Sequence, residues 1–129
     1  YVEATSQELA VTAGGQIFAT ANGGQIIGRN AGVSPSAAIY KDGSSNILTA
    51  TVTWANIQKL AMAWGSAGRS ISQNGVAVVT GTYDGSMNVG TDVFIGCLPT
   101  GGVQLYGTVK NLRVYNRALS NSQLVSFTT

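Results

Sequence analysis

The chain has 129 residues and a mass of 13.2 kDa, the size of one domain with one core. Hydrophobic residues make up 44% of the sequence and charged residues only 9%, well below the ~25% of an ordinary soluble protein. We therefore expect neutral polar side chains to cover the surface, and the sequence supplies 12 Ser, 13 Thr, 9 Asn and 7 Gln for it.

Charge and residue usage exclude several classes of function. The net charge of +2 is scattered along the chain without a basic run, which disfavours a nucleic-acid partner. The sequence has no His, so Ser-His-Asp hydrolase triads and His-liganded zinc sites are excluded. Cys97 is the one cysteine, so no intrachain disulfide can form, which fits folding in a reducing cytoplasm.

No stretch of the sequence approaches the ~20 apolar residues that cross a bilayer, so we expect a soluble chain without membrane insertion. The chain starts at Tyr1 rather than Met. From this we expect residues 1–129 to be a single domain that forms the C-terminal fragment of a larger chain.

The first elements in chain order are two β-hairpins. Residues 16–21 and 25–29 flank Asn22-Gly23-Gly24, and residues 36–41 and 46–54 flank Asp42-Gly43-Ser44. Residues 57–64 also fit the spacing of a helical stripe, but their surroundings favour a strand over residues 59–65. Asn74-Gly75, between strands at 69–73 and 76–80, predicts a type I′ turn because both central residues of that turn need positive φ.

The remaining elements close the domain. Residues 92–98 predict a strand, and residues 104–115 predict a long one whose inward side chains are Leu105, Val109, Leu112 and Val114. A short helix follows, with Ser120 and Gln123 as a capping box and a hydrophobic contact between Leu119 and Leu124. Short strands at intervals of about 8–12 residues are typical of an all-β sandwich or barrel.

Several segments resemble the concanavalin A-like, laminin-G-like lectin domains. The stretch from Leu105 to Ser120, with Val114-Tyr115-Asn116-Arg117-Ala118-Leu119-Ser120 at its end, is similar to the closing strand of that family. The central strand at 60–64, the hairpin around Asn74-Gly75 and Val93-Phe94-Ile95-Gly96 follow in the family's order. The sequence departs from the family at Ser72-Gln73, where an aromatic residue and Val or Asp are usual.

The resemblance implies an antiparallel β-sandwich of the jelly-roll, concanavalin A-like type, ending in a short helix. Low charge and Ser/Thr/Asn/Gly richness look most like the modules that end phage tail spikes and tail fibres. Such modules bind glycans or form the trimeric tip of the spike, so the resemblance implies one of these roles.

Catalysis by this domain is not expected. A glycosidase needs two carboxylates facing each other across the sugar at about 5–9.5 Å. The five carboxylates are scattered and match no acidic glucanase cluster: Glu3, Glu8, Asp42, Asp84 and Asp92. A polysaccharide depolymerase activity would then lie elsewhere in the parent chain.

Aromatic and amide side chains are the candidate sugar-binding groups, because an aromatic ring packs on a pyranose face while amides bind its hydroxyls. Trp54 and Tyr83 lie beside predicted turns, whereas Trp64 and Tyr115 are expected in the core. The predicted carbohydrate-binding set is Trp54, Tyr83, Tyr40, Asn88 and Asp84. No cofactor is expected; the alternative is calcium on Asp84, Asp92 and Asn88, against the simpler interpretation of a solvated turn.

We therefore expect a non-catalytic carbohydrate-recognition domain of a phage tail spike or fibre. Its partners would be a cell-surface polysaccharide and two further copies of the chain in a homotrimer, and its location the virion tail after assembly in the host cytoplasm. Two alternatives stay open: a structural domain that trimerises and caps the spike, and a carbohydrate-binding module of a secreted glycosidase.

Overall fold

The computed structural model describes residues 1–6, 15–20, 25–29, 37–41, 44–50, 58–82, 90–97, 100–101, 104–105 and 107–129. Within these residues, ten strands and one helix are present. The strands are β1 (Val2–Ser6), β2 (Gly15–Thr20), β3 (Gln25–Arg29), β4 (Ala37–Lys41), β5 (Ser44–Ala50), β6 (Gln58–Gly65), β7 (Gly68–Gln73), β8 (Val79–Gly81), β9 (Val93–Ile95) and β10 (Gly107–Lys110). The helix is α1 (Asn121–Thr128).

The strands form two antiparallel sheets of five strands each. The first sheet has the order β10-β1-β6-β7-β8, and the second has the order β5-β4-β3-β2-β9. Both sheets contribute to one apolar core of buried side chains: Ile17, Phe18 and Leu48 from the second sheet, and Leu60, Met62 and Ile71 from the first. The antiparallel β-sandwich predicted from the sequence is confirmed.

The outer face of the first sheet is covered by α1. Side chains alternate along a strand, so Leu60 and Met62 face the core while Ala61 and Ala63 face the other way. Those two small side chains pack in a second buried cluster with Leu119 and Leu124. The predicted hydrophobic contact at the helix start is therefore confirmed.

The predicted capping box starts α1. The Gln123 backbone N–H donates to Ser120 Oγ, and the Ser120 backbone N–H donates to Gln123 Oε1 at 3.0 Å. This reciprocal pair satisfies two of the N–H groups that a helix start leaves unpaired. Leu124 and Thr128, four and eight residues after Ser120, are the buried side chains through which the helix packs on the sheet.

The predicted hairpins are largely confirmed. β2 pairs with β3 and β4 pairs with β5, both antiparallel, although β5 starts at Ser44 rather than Asn46. Residues 22–24 of the first predicted turn, residues 42–43 of the second and residues 51–54 lie outside the described residues. Residues 59–65 lie in a strand as predicted, because both faces of β6 are covered by apolar partners.

Asn74 and Gly75 adopt φ of 50° and 73°, and the Val76 N–H donates to the Gln73 carbonyl at 3.0 Å, as in the predicted turn. The next strand begins at Val79 instead of Val76, which is a correction. The Ser72 hydroxyl donates to the Val76 carbonyl at 2.9 Å, and the Gly75 N–H donates to Thr128 Oγ1 at 3.1 Å. Residues 76–78 therefore belong to the connection between β7 and β8, and strand pairing with β7 starts at Val79.

The last strands are shorter than predicted. β9 ends at Ile95, because Gly96 turns the chain at a φ of 80°. β10 covers Gly107–Lys110, whereas the prediction extended from 104 to 115. Leu105, Val109 and Leu112 pack against the core as predicted.

Two further predictions for this segment are wrong. Val114 is 68% exposed instead of inward-facing, and Tyr115 is 39% exposed instead of buried in the core. Both residues follow the end of β10, where no described strand lies against them to cover their side chains. Trp64, in contrast, is half-buried against the core as predicted.

Candidate functional site

One end of the first sheet is closed by a reciprocal pair of backbone hydrogen bonds. The Tyr1 nitrogen donates to the Arg113 carbonyl at 3.0 Å, and the Arg113 N–H donates to the Tyr1 carbonyl at 2.9 Å. In the ladder of β1 and β10, Glu3 lies opposite Lys110, so one extra residue separates the two positions on the C-terminal side. That extra residue is Asn111, at a φ of 51°, which makes the junction a β-bulge.

The bulge is held by the Glu3 carboxylate. The Tyr1 hydroxyl donates to Glu3 Oε1 at 2.5 Å, and Asn111 Nδ2 donates to Glu3 Oε2 at 2.9 Å. These hydrogen bonds lower the pKa of Glu3 below its ordinary value. Desolvation and the bond to Glu3 raise the pKa of the Tyr1 phenol to about 12. Glu3 is thus an ionised acceptor with both oxygens engaged.

A cleft of about 250 Å³ opens beside this junction, between β6 and the segment that follows β10. We call it the edge cleft. Thirteen of the described residues line it: Tyr1, Phe18, Met62, Ala63, Trp64, Leu112, Arg113, Val114, Tyr115, Asn116, Arg117, Ala118 and Leu119.

The floor and the rim of the edge cleft differ in chemistry. Phe18, Met62 and Leu119 are buried apolar side chains on the floor, whereas Arg113 and Arg117 are exposed at the rim. Among the described residues that line the cleft, none is Asp or Glu. These residues therefore offer apolar surface and positive charge but supply no carboxylate pair of the kind that glycoside hydrolysis requires.

An aromatic row borders the cleft on the side of α1. The Phe127 ring lies 5.9 Å from the Tyr1 ring and 5.9 Å from the Tyr115 ring, with the Tyr115 pair stacked at 19°. These separations are those of favourable aromatic pairs. Tyr115 is therefore held by α1 and presents part of its ring to solvent.

Comparison with known protein families identifies the family to which this sandwich belongs. A laminin-G-type family model, described as the concanavalin A-like lectin/glucanases superfamily, matches residues 4–125. The chain belongs to the concanavalin A-like lectin/glucanase superfamily. No curated protein sequence matches the chain. The resemblance inferred from the C-terminal motif, the central strand and the Asn74-Gly75 hairpin is thereby confirmed at the level of the family.

The sugar-binding residues predicted for this lectin-like domain are mostly beyond the structural description. Trp54, Tyr83, Asp84 and Asn88 lie outside the described residues. Tyr40 lies in β4, where its backbone pairs with Ile26 and Ile47, and its side chain is outside the description. The set of five remains a prediction.

The calcium alternative has one described member. Asp92 is exposed next to β9 and accepts a hydrogen bond from the Thr91 hydroxyl at 3.3 Å. Among the residues the structure describes, no three His, Cys, Asp or Glu side chains come together in a metal-binding group. In the same residues, no helix is long and apolar enough to cross a membrane.

Sequence reasoning missed the edge cleft itself. Neither the apolar floor at Met62 nor the rim at Arg113 was among the predicted site residues. The sequence contained one signal for it. Val109 and Leu112 were both predicted to face inward, but residues three apart lie on opposite faces of a regular strand. That break in alternation marks the Asn111 bulge beside the cleft.

Proposed function

We propose that this concanavalin A-like domain is a non-catalytic carbohydrate-recognition domain. The observation that carries the proposal is the family match over residues 4–125, on a two-sheet sandwich of the corresponding type. The composition supports it, because a surface rich in hydroxyls and amides offers hydrogen bonds to a neutral polysaccharide without a strong charge field. The finer proposal is that the domain belongs to a phage tail spike or fibre in the virion tail and attaches it to a host surface polysaccharide.

The absence of catalysis is part of the proposal. Glu3 is already bound by Tyr1 and Asn111, and its lowered pKa does not suit a general acid. Asp92 is exposed and bound to its neighbour Thr91. Neither of these two described carboxylates lines the edge cleft. We propose that any depolymerase activity belongs to other parts of a parent chain.

We assign sugar binding to Trp54 and Tyr83, which lie beside predicted turns in the sequence, with Tyr40, Asn88 and Asp84 as further candidate residues. The floor of the edge cleft is less suitable, because sugar hydroxyls buried against Phe18 and Met62 would lose their hydrogen bonds to water. Loop aromatics can stack on a pyranose and leave its hydroxyls accessible to amides.

A glycan array of bacterial surface polysaccharides, followed by titration calorimetry with any glycan retained, tests this assignment. We expect Trp54→Ala and Tyr83→Ala to weaken binding about five- to tenfold each, the amount expected from losing a stacked ring. Tyr115→Ala is the matched control, since Tyr115 is an exposed aromatic held on the α1 side. Equal loss in all three variants, or no binding by the unmodified chain, would contradict the proposal.

A second candidate is a structural domain that trimerises and caps a spike. Two exposed apolar residues on the edge strand β9 favour it, Val93 at 55% and Ile95 at 51% exposure. Exposed apolar edge strands are sites of association between chains. Light scattering decides between a 13.2 kDa monomer and a particle three times as heavy.

The matched variants for this candidate are Ile95→Lys, on the exposed edge, and Val76→Lys, at a similarly exposed valine in the Asn74-Gly75 turn region. A trimer dissociated by Ile95→Lys but not by Val76→Lys would support the structural role. A monomer at high concentration would exclude it and leave the carbohydrate-recognition role alone.

A further inference from the structure

The floor of the edge cleft includes side chains from both buried clusters of the domain. Phe18 and Met62 belong to the core between the two sheets. Ala63 and Leu119 belong to the second cluster, which α1 covers. Apolar side chains that border a cleft lack van der Waals partners on that side. An apolar group placed in the cleft would therefore contact both clusters and would be removed from water.

The volume of the cleft limits the size of such a group. The cleft measures about 250 Å³. A group the size of a water molecule or a methylene takes up about 30 Å³, so about eight such groups fit. The volume therefore favours a small molecule with a short apolar chain over a folded partner.

The exposed rim of the cleft is positively charged. Arg113 and Arg117 line it with exposed side chains. The described side-chain carboxylates, Glu3 and Asp92, are not in the lining, and both Glu3 oxygens are engaged by hydrogen bonds at the bulge. A guanidinium group binds a carboxylate through two parallel hydrogen bonds. The charge of the rim therefore complements a carboxylate at the mouth of an apolar cleft.

The segment that carries the two arginines is held at three points. The Arg113 N–H donates to the Tyr1 carbonyl at 2.9 Å, and the Tyr115 ring stacks on Phe127 with the ring centroids 5.9 Å apart. Leu119, at the end of the segment, is buried. A rim whose backbone is already fixed loses less conformational entropy when it binds a ligand.

We infer that the edge cleft binds a small carboxylate with an unbranched apolar chain of about eight carbons. The chain packs on Phe18, Met62 and Leu119, and the carboxylate accepts hydrogen bonds from the guanidinium groups of Arg113 and Arg117. The ligand class is thus that of the medium-chain fatty acids. The site depends on apolar surface and positive charge, which a neutral polysaccharide does not need.

Titration calorimetry of the complete 129-residue chain with octanoate tests the inference. We expect a Kd of about 0.1–1 mM, the range of a ligand with about ten non-hydrogen atoms. Two further probes separate the chain from the charge. Octylammonium has the same chain with a positive head, and acetate has the same carboxylate without the chain. Both should bind at least about tenfold more weakly than octanoate.

Charge-removing variants test the position of the carboxylate. The double variant Arg113→Gln, Arg117→Gln should weaken octanoate binding about tenfold, because it removes both charge-assisted contacts. Lys110→Gln is the matched control, since Lys110 is exposed and lies outside the lining. Its Kd for octanoate should stay within about twofold of the original value, because salt screens an exposed charge that makes no contact.

A bulky side chain tests the position of the apolar chain. Ala118→Trp, at an exposed position of the lining, should occupy part of the cleft and weaken octanoate binding, whereas Ala77→Trp, at an exposed position outside the lining, should not. In isotope-filtered NMR spectra, the octanoate chain should show NOEs to the Met62 methyl group. Circular dichroism verifies that each variant is folded.

Equal affinity for octanoate and octylammonium would overturn the inference, because the arginines would then have no part in binding. Undiminished octanoate binding by the double arginine variant would do the same. So would the absence of octanoate binding at millimolar concentration, or binding without NOEs to Met62. None of these outcomes depends on glycan binding, so the inference and the proposed function fail separately.

Discussion

The hydroxyl oxygens of Ser72 and Thr128 lie 2.9 Å apart in the buried contact between β7 and the last turn of α1. The Thr128 hydroxyl oxygen also accepts from the Gly75 N–H at 3.1 Å and lies 3.1 Å from the Leu124 carbonyl. The Thr128 side chain therefore connects the first sheet, the Asn74-Gly75 turn and α1. The contact therefore ties the turn after β7 to the C-terminal end of α1.

We expect Thr128→Val to lower the free energy of unfolding by about 1–3 kcal/mol, because it leaves the Gly75 N–H and the Ser72 hydroxyl without this buried partner. Urea denaturation measures the change. Ser126→Ala, at an exposed position of the same helix, is the control and should stay within about 0.5 kcal/mol of the original chain. Indistinguishable midpoints for the two variants would show that the contact does not stabilise the fold.

The start of α1 gives a second prediction. Ser120→Ala removes the acceptor of the Gln123 N–H and half of the capping box, which costs about 1 kcal/mol. In a domain of this size, that cost corresponds to a fall in Tm of about 3–6 °C by calorimetry. Asn121→Ala, at the next and exposed position, should leave Tm nearly unchanged. If the two variants melt together, the cap has no role in stability.

Alanine substitution of two glycines at the β6–β7 hairpin should affect the free energy of unfolding differently. Gly68 has a φ of 127°, and a Cβ there would lie 2.9 Å from the Gly81 carbonyl oxygen, so we expect Gly68→Ala to destabilise the chain by about 1–3 kcal/mol. Its pairing partner Gly65 would place a Cβ 3.7 Å from the Ala118 Cβ, an ordinary contact. Gly65→Ala should therefore be nearly neutral. Comparable losses in urea denaturation would contradict this distinction.

The Glu3 network predicts a dependence of stability on pH. The pKa of Glu3 is lower in the folded chain, through its hydrogen bonds to Tyr1 and Asn111, than the ordinary value of 4.5. Its stabilising contribution is therefore present above the unfolded pKa and is lost as pH falls through the folded pKa. The difference in stability between the original chain and Glu3→Gln should shrink below pH 4.5.

Tyr1→Phe separates the hydrogen bond from the ring contact. The variant keeps a ring against Phe127 but removes the donor to Glu3. An NMR titration of the Glu3 carboxyl should then give a pKa closer to its ordinary value. An unchanged carboxyl titration would show that Asn111 and the nearby lysines alone lower it.

Local sequence patterns predicted the fold correctly where a strand is paired with a neighbouring strand on each side. The alternation of residues 60–64 places Leu60 and Met62 in the core, and Asn74-Gly75 fixes its turn because few other pairs tolerate positive φ twice. The same patterns overextended the last strand. A strand exists only where a partner pairs with it, and Val114 and Tyr115 follow the end of that pairing.

The candidate site was less predictable than the fold. The edge cleft joins Tyr1, Met62 and Arg113, which are far apart in sequence and meet only through the order of the first sheet. Tyr115 was assigned to the core from its strand-like surroundings, yet its ring stacks on Phe127 outside the sandwich. Composition predicts the chemistry of a surface, but it carries no information on which strands become neighbours.

The β-bulge at Asn111 changes which residues after β10 face the core. Lys110 lies opposite Glu3, and the one additional residue places Arg113, instead of Leu112, opposite Tyr1. Without it, the alternation would turn Leu112 towards α1 and Arg113 towards the apolar interior. A deletion of one residue here would therefore separate Leu112 from the core and bury the charge of Arg113, and the sheet edge beside Tyr1 would lose its present pairing.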